Sequence, residues 1–314
     1  MYLPLFRSKM FSGIAIGMCA GAAGTYLLIV SSSSASYPAP KKPLESTSSL
    51  APFGFPHSNH SVLEFSDYFA VGYNNRLKVS TWAYERLTKN SIRGTADRGK
   101  SPRFFEDEKI PEYYRSKDSD YKRSGYDRGH LVPAADLKHS QDGMDQTFVL
   151  SNICPQNPWL NRNYWSKLES FVRRLISDSY FDEVHTITGP LFLPDEEGWV
   201  KYPVIGKNKV AVPTHFYKVI AAQKANDTYL GAFLIPNHEF PEDKPLMDFV
   251  VPVRTIEEQS GHRFFPKLTR PNELKLLRSR NKTKSVEKEL CTEVECSLVI
   301  RKTKNAINRK AKQD

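Results

Sequence analysis

Asp127-Arg128-Gly129-His130 is the stretch from which the rest of the chain can be read. Asn161 follows at the start of the next apolar-periodic segment, with Glu169 and Arg173 further along it at i,i+4 spacing. A histidine can take a proton from water near neutral pH. An amide oxygen is a hard ligand that suits Mg²⁺, an ion that keeps most of its own water. Arginines meet phosphate oxygens in a bidentate way. Together these residue types suit hydrolysis of a phosphodiester with one divalent cation.

The segment carrying Asn161 is the clearest helix in the chain, expected over residues 162–176. Trp165, Leu168, Val172 and Leu175 recur in steps of three and four. On a helical wheel Asn161 falls over the apolar stripe, with Glu169 and Arg173 at its edge, about 80° and 120° round. Each residue also has a plainer reading. Asn161 is a favoured helix N-cap type, Glu169 and Arg173 would pair on any exposed helix, and an isolated histidine after glycine is more often a structural hydrogen-bonder.

Around this centre the pattern is irregular. Residues 77–84 alternate in a strand-like way, with Leu77, Val79, Thr81 and Ala83 on one face. Residues 89–125 read as a long surface loop, and long loops without a period are often functional. Residues 147–153 suggest a short buried strand. Residues 184–188, 200–205, 210–213, 216–221 and 229–236 read as strands punctuated by Gly and Pro. Residues 255–261 suggest a helix opened by a capping box of Thr255 and Glu258. Irregular helix and strand order points to an α+β fold rather than a doubly wound sheet. No internal repeat is visible.

The chain has 314 residues, enough for a sizeable core, and its 39% hydrophobic content marks it as globular. Its net charge of +10 is concentrated at the ends. Residues 1–44 hold four Lys/Arg and no acid, residues 275–314 hold twelve against five, and residues 45–274 are nearly neutral with 29 against 30. A groove for a polyanion must therefore come from local clustering and not from bulk charge. The four cysteines are too few for a disulfide framework. Cys154 is expected to be a buried apolar residue. Cys291 and Cys296 are close enough to pair, but reduced packing is the expectation. Residues 11–30 carry no charge and are long enough for one helix across a bilayer. A mitochondrial presequence with an inner-membrane anchor, a secretory signal and a signal anchor all fit them. A Ser/Pro/Lys-rich tether over residues 31–49 follows, and the folded part is expected to begin near Phe53.

The longer motifs resemble one family. Tyr126-Asp127-Arg128-Gly129-His130-Leu131 is similar to the Asp-Arg-Gly-His signature of the DNA/RNA non-specific endonucleases with a ββα-metal fold. Residues 148–156 (FVLSNICPQ), Leu160-Asn161-Arg162-Asn163 and the Trp165…Leu168-Glu169 spacing resemble that family's metal helix. Aspartate at 127 sets the chain apart from the family's exonuclease-like mitochondrial branch, which usually carries Ser there, and residues 188–194 (TGPLFLP), 204–208 (VIGKN) and 210–216 (VAVPTHF) resemble another mitochondrial branch of it. The likeness spans roughly residues 53–268. It departs at Asp136, where that branch usually carries Asn, and in the basic C-terminal extension.

The resemblance implies a single α+β nuclease domain at 45–274, mostly antiparallel sheet with packed helices. A targeting and anchor segment at 1–44 precedes it, and a basic extension at 275–314 follows. His130 would be the general base and Asn161 the direct Mg²⁺ ligand, with Mn²⁺ an alternative ion. Glu169 would hold metal-bound water. Arg98, within Thr95-Ala96-Asp97-Arg98, would contact phosphate or stabilise the pentavalent state, and Arg128 and Arg173 resemble the family's other functional arginines. Asp127 would orient neighbouring backbone and His130. Tyr126, Trp159 and Tyr164 could stack on bases or pack in the core. The implied substrates are DNA and RNA, the implied assembly a homodimer. The implied location is the mitochondrial intermembrane space or inner membrane, with release to the nucleus in cell death. Sequons at Asn59, Asn226 and Asn281 keep a secreted nuclease as an alternative. A non-catalytic nucleic-acid-binding protein acting through the basic tail is a second.

Overall fold

A computed structural model of the chain describes residues 49–57, 61–268 and 287–297. The expected anchor, nearly all of the tether, Asn59, Asn281 and most of the basic extension lie outside these residues. Among the described residues no helix is long and apolar enough to cross a membrane.

Strands β1 (Ser61–Phe65), β2 (Phe69–Asn74) and β3 (Val79–Thr88) open the chain's main sheet. They continue into β6 (Glu183–Leu191), β9 (His215–Lys224), β10 (Asp227–Pro236) and β11 (Glu287–Glu289), in the order β1-β2-β3-β6-β9-β10-β11. Every pairing is antiparallel except β10 with β11. Two further pairs stand apart from it: β4 (Asp127–His130) with β5 (Ile153–Gln156), and β7 (Val204–Ile205) with β8 (Val210–Ala211). The short helices α1 (Asp118–Tyr121) and α2 (Gln141–Gln146) lie within connections. Helix α3 (Ser166–Ser177) follows β5, and α4 (Val253–Ser260) and α5 (Leu290–Glu293) come last. The expected mostly antiparallel α+β architecture is what the chain adopts.

Both faces of the sheet are buried, which is why its strands are apolar nearly throughout. Val79, Ala83 and Leu87 of β3 and Phe216, Ile220 and Ala222 of β9 pack beneath α3, whose Leu168, Val172 and Leu175 fill the same core. On the other face Trp82, Tyr84, Tyr217 and Val219 meet Leu50, Ala51, Phe55, Ile256 and Phe264. Leu50 and Ala51, ahead of the expected start near Phe53, are already buried in this core.

Several local expectations need correction. Residues 147–153 are not a strand: a turn and a 3₁₀ turn (Leu150–Asn152) precede β5, with the backbone held by Asn152, whose Nδ2 donates to the carbonyls of Val132 and Thr147 (3.0 and 2.9 Å). Only the last two residues of 200–205 are extended. Helix α4 starts at Val253 behind Pro252 with no side-chain cap, so the expected Thr255/Glu258 capping box does not form. The long 89–125 connection is not purely surface, since Asp107, Ile110, Asp120 and Tyr121 are buried. Nor is the C-terminal extension only a basic tail. Leu290, Val294 and Cys296 are buried, Arg174 of α3 donates to the Ser297 carbonyl (3.2 Å), and Cys291 and Cys296 form a disulfide where reduced thiols were expected.

Candidate active site

The β4–β5 pair and α3 form a strand–strand–helix unit laid on the sheet. Gly129 faces Cys154 across the ladder. A Cβ there would sit 2.3 Å from Gln156 Oε1 and 2.7 Å from its Cβ, so glycine is what lets the two strands close. Beyond β5, Asn157 Oδ1 accepts from the backbone N–H of Trp159 and Leu160 (2.9 and 3.2 Å), with Pro158 following it. That is an N-cap followed by proline at the first helical position.

The helix then runs through one π-helical turn, Leu160–Trp165, before α3 proper. Side chains satisfy carbonyls that the wider turn loosens. Asn163 Nδ2 donates to the Trp159 carbonyl (3.0 Å) and Ser166 Oγ to that of Asn163 (2.8 Å). Asn161 therefore lies inside a π turn and is not the N-cap. The extra residue in the turn also shifts its phase relative to Glu169, which a wheel of constant pitch does not capture.

Asp127 holds Asn161 in one orientation. Its Oδ2 accepts from Asn161 Nδ2 at 2.9 Å, and its two oxygens take a bidentate pair from Arg162 (2.8 and 2.7 Å). The Asn161 amide oxygen accepts no hydrogen bond from the described residues. Asp127 thus orients Asn161 and Arg162, where the sequence had suggested the backbone and His130. These partners, despite the cost of burial, keep its carboxyl below the usual carboxylate range.

His130 is packed between Phe104 and Phe148, with ring centroids 5.5 and 5.0 Å away. Burial, followed by the charge of Arg98, lowers its pKa to about 3, so the imidazole is neutral near pH 7. Its Nε2 is buried and makes no hydrogen bond with the described residues. Each ring also carries an arginine: Arg98 lies 5.6 Å from the centroid of Phe148 and Arg128 5.5 Å from that of Phe104. Arg128 is tethered to α1, its Nε and Nη2 donating to Asp118 Oδ1 (2.6 Å) and the Asp118 carbonyl (2.9 Å). Arg98 is exposed, at the start of a 3₁₀ turn capped by Asp97.

Glu169 and Arg173 do not pair with each other. Arg173 Nη1 donates instead to the buried Asp136 (2.6 Å), and its Nη2 to Ser170 Oγ (2.9 Å). The position where the resemblance broke is thus a buried ion-pair partner. Glu169 is left half-buried, its carboxylate with no hydrogen bond from the described residues. Burial raises its pKa to about 7; Lys218 opposes the shift and Asp136 adds to it. Beneath it lie Glu85 of β3 and Lys218 of β9, both buried, with Lys218 Nζ on Thr188 Oγ1 (2.5 Å) and 4.0 Å from Glu85 Oε1. Burial, joined by Asp136, pushes the Glu85 carboxyl well above its ordinary range.

The structure therefore places the expected residues in three linked groups. Asn161 sits with Asp127, His130 with Arg98 and Arg128, and Glu169 with Arg173. The field of Arg128 acts on Asp127 and that of Arg98 on both His130 and Glu169, which joins the first group to the second and the second to the third. Sequence reasoning missed Asn157, Arg162, Glu85 and Lys218. An Asn-Pro dipeptide ahead of the helix could have marked the first. The charged strand residues carry no sequence signal of burial. Of the flanking aromatics, Tyr164 is core, packed on Phe240 and Phe249, and Trp159 also packs on Phe240.

A single hard cation suits this donor set. An amide oxygen and a carboxylate, neither hydrogen-bonded within the described residues, are available. Among the described residues no three His, Cys, Asp or Glu gather as a metal cage, so waters would fill the remaining positions.

Residues 46–270 match the family model described as DNA/RNA non-specific endonuclease. The chain is 38% identical to the mitochondrial nuclease of Saccharomyces cerevisiae, over 96% of this chain and 95% of that protein. It is 41% identical to endonuclease G, mitochondrial, of Homo sapiens, over 74% of this chain and 79% of that one. Among solved structures, one of an EndoG/EndoGI complex superimposes with a TM-score of 0.66 at 37% identity, covering 76% of this chain and 94% of that chain.

Proposed function

This chain belongs to the DNA/RNA non-specific endonuclease family, and from that premise we propose a one-metal hydrolysis of phosphodiesters with His130 as the base. It is a metal-dependent nuclease, and the mechanism rests on two observations: an imidazole that burial keeps neutral, and an amide whose nitrogen is held by Asp127 while its oxygen accepts no hydrogen bond from the described residues. His130 takes the proton of the attacking water as it approaches phosphorus in line with the leaving oxygen. Asn161, fixed by Asp127, would hold Mg²⁺ or Mn²⁺ directly, and Glu169 would hold one of its waters. When bound, the ion neutralises charge on the phosphate and the leaving oxygen. Arg98 lies exposed beside both His130 and Glu169, which suits an arginine that stabilises the pentavalent phosphate. Arg128 positions the hairpin through Asp118, and Arg173 is set by Asp136 to fix the helix beside Glu169.

The substrates are DNA and RNA, as the family description gives them, and phosphate contacts add no base-sequence preference. The protein is mitochondrial, as its named relatives are. Within that organelle the reading extends to residues 1–44 as targeting segment and inner-membrane tether, and to residues 45–274 as a nuclease body in the intermembrane space. The body acts as a homodimer, and release carries it to nuclear DNA. The Cys291–Cys296 disulfide supports a compartment where thiols oxidise.

The test is nicking of supercoiled plasmid and cleavage of RNA with and without Mg²⁺. His130→Ala is expected to lower the rate by about 10²–10⁴-fold with an unchanged circular dichroism spectrum. A mutant that still cuts at the wild-type rate would remove His130 from the mechanism.

A further inference from the structure

A cleft of about 340 Å³ opens beside the β4–β5 pair, and no step above uses it. That volume is within the range of small-ligand sites. Tyr126, which immediately precedes Asp127, lines it together with Trp199, Lys201, His215, Asn237 and His238. Asn237 ties the cleft to the turn that carries Asn161. Its Oδ1 accepts from the Asn157 N–H (2.8 Å), and its Nδ2 donates to the carbonyls of Pro155 (3.2 Å) and Pro213 (2.9 Å). The cleft wall is therefore bonded to the helix cap that sets the position of Asn161.

Trp199 is presented by a closed turn. Asp195 N–H donates to the Trp199 carbonyl (2.8 Å), and Asp195 Oδ1 accepts from the N–H of Glu197 and Trp199 (3.1 and 2.9 Å). Gly198 supplies the left-handed residue the turn needs, at φ +84°. Trp199, with its backbone so held, is 63% exposed, an unusual display for a tryptophan.

The chemistry of the lining favours a flat neutral ligand over a phosphate. Lys201 is already neutralised by Asp195 (3.0 Å) and Glu197 (3.4 Å). His215 and His238 commit Nδ1 to Thr214 Oγ1 (3.0 Å) and the Glu239 carbonyl (2.8 Å). Each leaves Nε2 without a partner among the described residues, free to meet the hydrogen-bonding edge of a ligand. Burial, with His238 nearby, holds the His215 imidazole below its usual value.

We propose that this cleft is a subsite for one unstacked nucleobase of the substrate strand, with Trp199 and Tyr126 as stacking surfaces and the two imidazoles at its edge. The inference rests on the nuclease reading and deepens it. Every base has a π face, so such a subsite tolerates any sequence. It favours strands whose bases are free, such as single strands and RNA loops, over closed duplex.

The test uses the full chain with Trp199→Ala and Trp199→Phe. The probes are a single-stranded DNA oligonucleotide and a matched oligonucleotide carrying abasic sites. KM for the intact oligonucleotide is expected to rise roughly fivefold or more in Trp199→Ala with kcat unchanged, and to recover in Trp199→Phe. The abasic probe should not distinguish wild type from Trp199→Ala. An unchanged KM, or an equal penalty on both probes, overturns the subsite. Quenching of tryptophan fluorescence in EDTA separates this failure from a failure of the hydrolytic reading, since it needs no turnover. Quenching by the intact probe alone supports the subsite even without cleavage. Equal quenching by both probes, or none, overturns it.

Discussion

Asn161 Nδ2 donates to Asp127 Oδ2 at 2.9 Å, and this one bond decides which end of the Asn161 amide faces the carboxylate. With the nitrogen turned to a carboxylate, the oxygen is the atom available to a hard cation. The aspartate of the Asp-Arg-Gly-His stretch thus acts on the amide 34 positions further along the chain.

Removing that bond should loosen the metal site without changing the fold. Asp127→Ala is expected to weaken Mn²⁺ binding by about 10–100-fold, because partners that orient a ligand contribute that much. Electron paramagnetic resonance titration of the full chain with Mn²⁺ reads this directly. Affinity equal to wild type would mean that Asn161 needs no such anchor.

His130 makes stability pH-dependent on the acid side. Its folded pKa, about 3, lies below the ordinary 6.5. The neutral form is favoured in the folded state, so stability is full above pH 6.5 and declines as pH falls toward 3. Between pH 7 and 5 the wild type should lose about 2 kcal/mol more than His130→Gln. Urea denaturation of both proteins at the two pH values checks it, and parallel losses would refute it.

Asp136 offers a graded comparison. Asp136→Ala leaves Arg173 without its partner at 2.6 Å and should cost about 3 kcal/mol, the usual penalty for breaking a largely buried pair. Asp136→Asn keeps an oxygen acceptor for Arg173 and should cost less. Chemical denaturation of the two variants is the measurement, and the reverse order would be incompatible with the ion pair.

Gly129→Ala forces the hairpin apart. The added methyl would lie 2.3 Å from Gln156 Oε1. A loss of about 1–3 kcal/mol is expected, with a drop in rate because β4 carries His130. Thermal unfolding and plasmid nicking, measured together, distinguish this from a purely catalytic effect.

Much of this architecture was legible before any coordinates. Apolar runs bounded by Gly and Pro marked β6, β9 and β10 because both faces of the sheet are covered, alternation marked β3, and Leu168, Val172 and Leu175 marked α3 by their period. The π turn at Leu160–Trp165 was not, since a wheel of constant pitch absorbs the extra residue. Lys218 and Glu85 were invisible for another reason. A charged residue in a strand reads as solvent-facing unless a partner is known, and these two belong to strands far apart in sequence. The Glu-Lys-Glu run of β11 has no strand propensity at all, and it is extended only because β10 offers an edge. Arg173 shows the same limit, for the i,i+4 rule pointed to Glu169 while a residue outside the helix won.

Residues 287–289 form the outermost rung of the sheet. Synthesis runs from the N-terminus, so β10 emerges with a bare border and waits about fifty residues, until Glu287–Glu289 has been made, before its cover arrives. A product cut short ahead of Glu287 would keep Thr228–Leu230 open as a template for pairing with another molecule. Premature termination late in this chain would therefore yield a self-associating species, not simply a shorter enzyme.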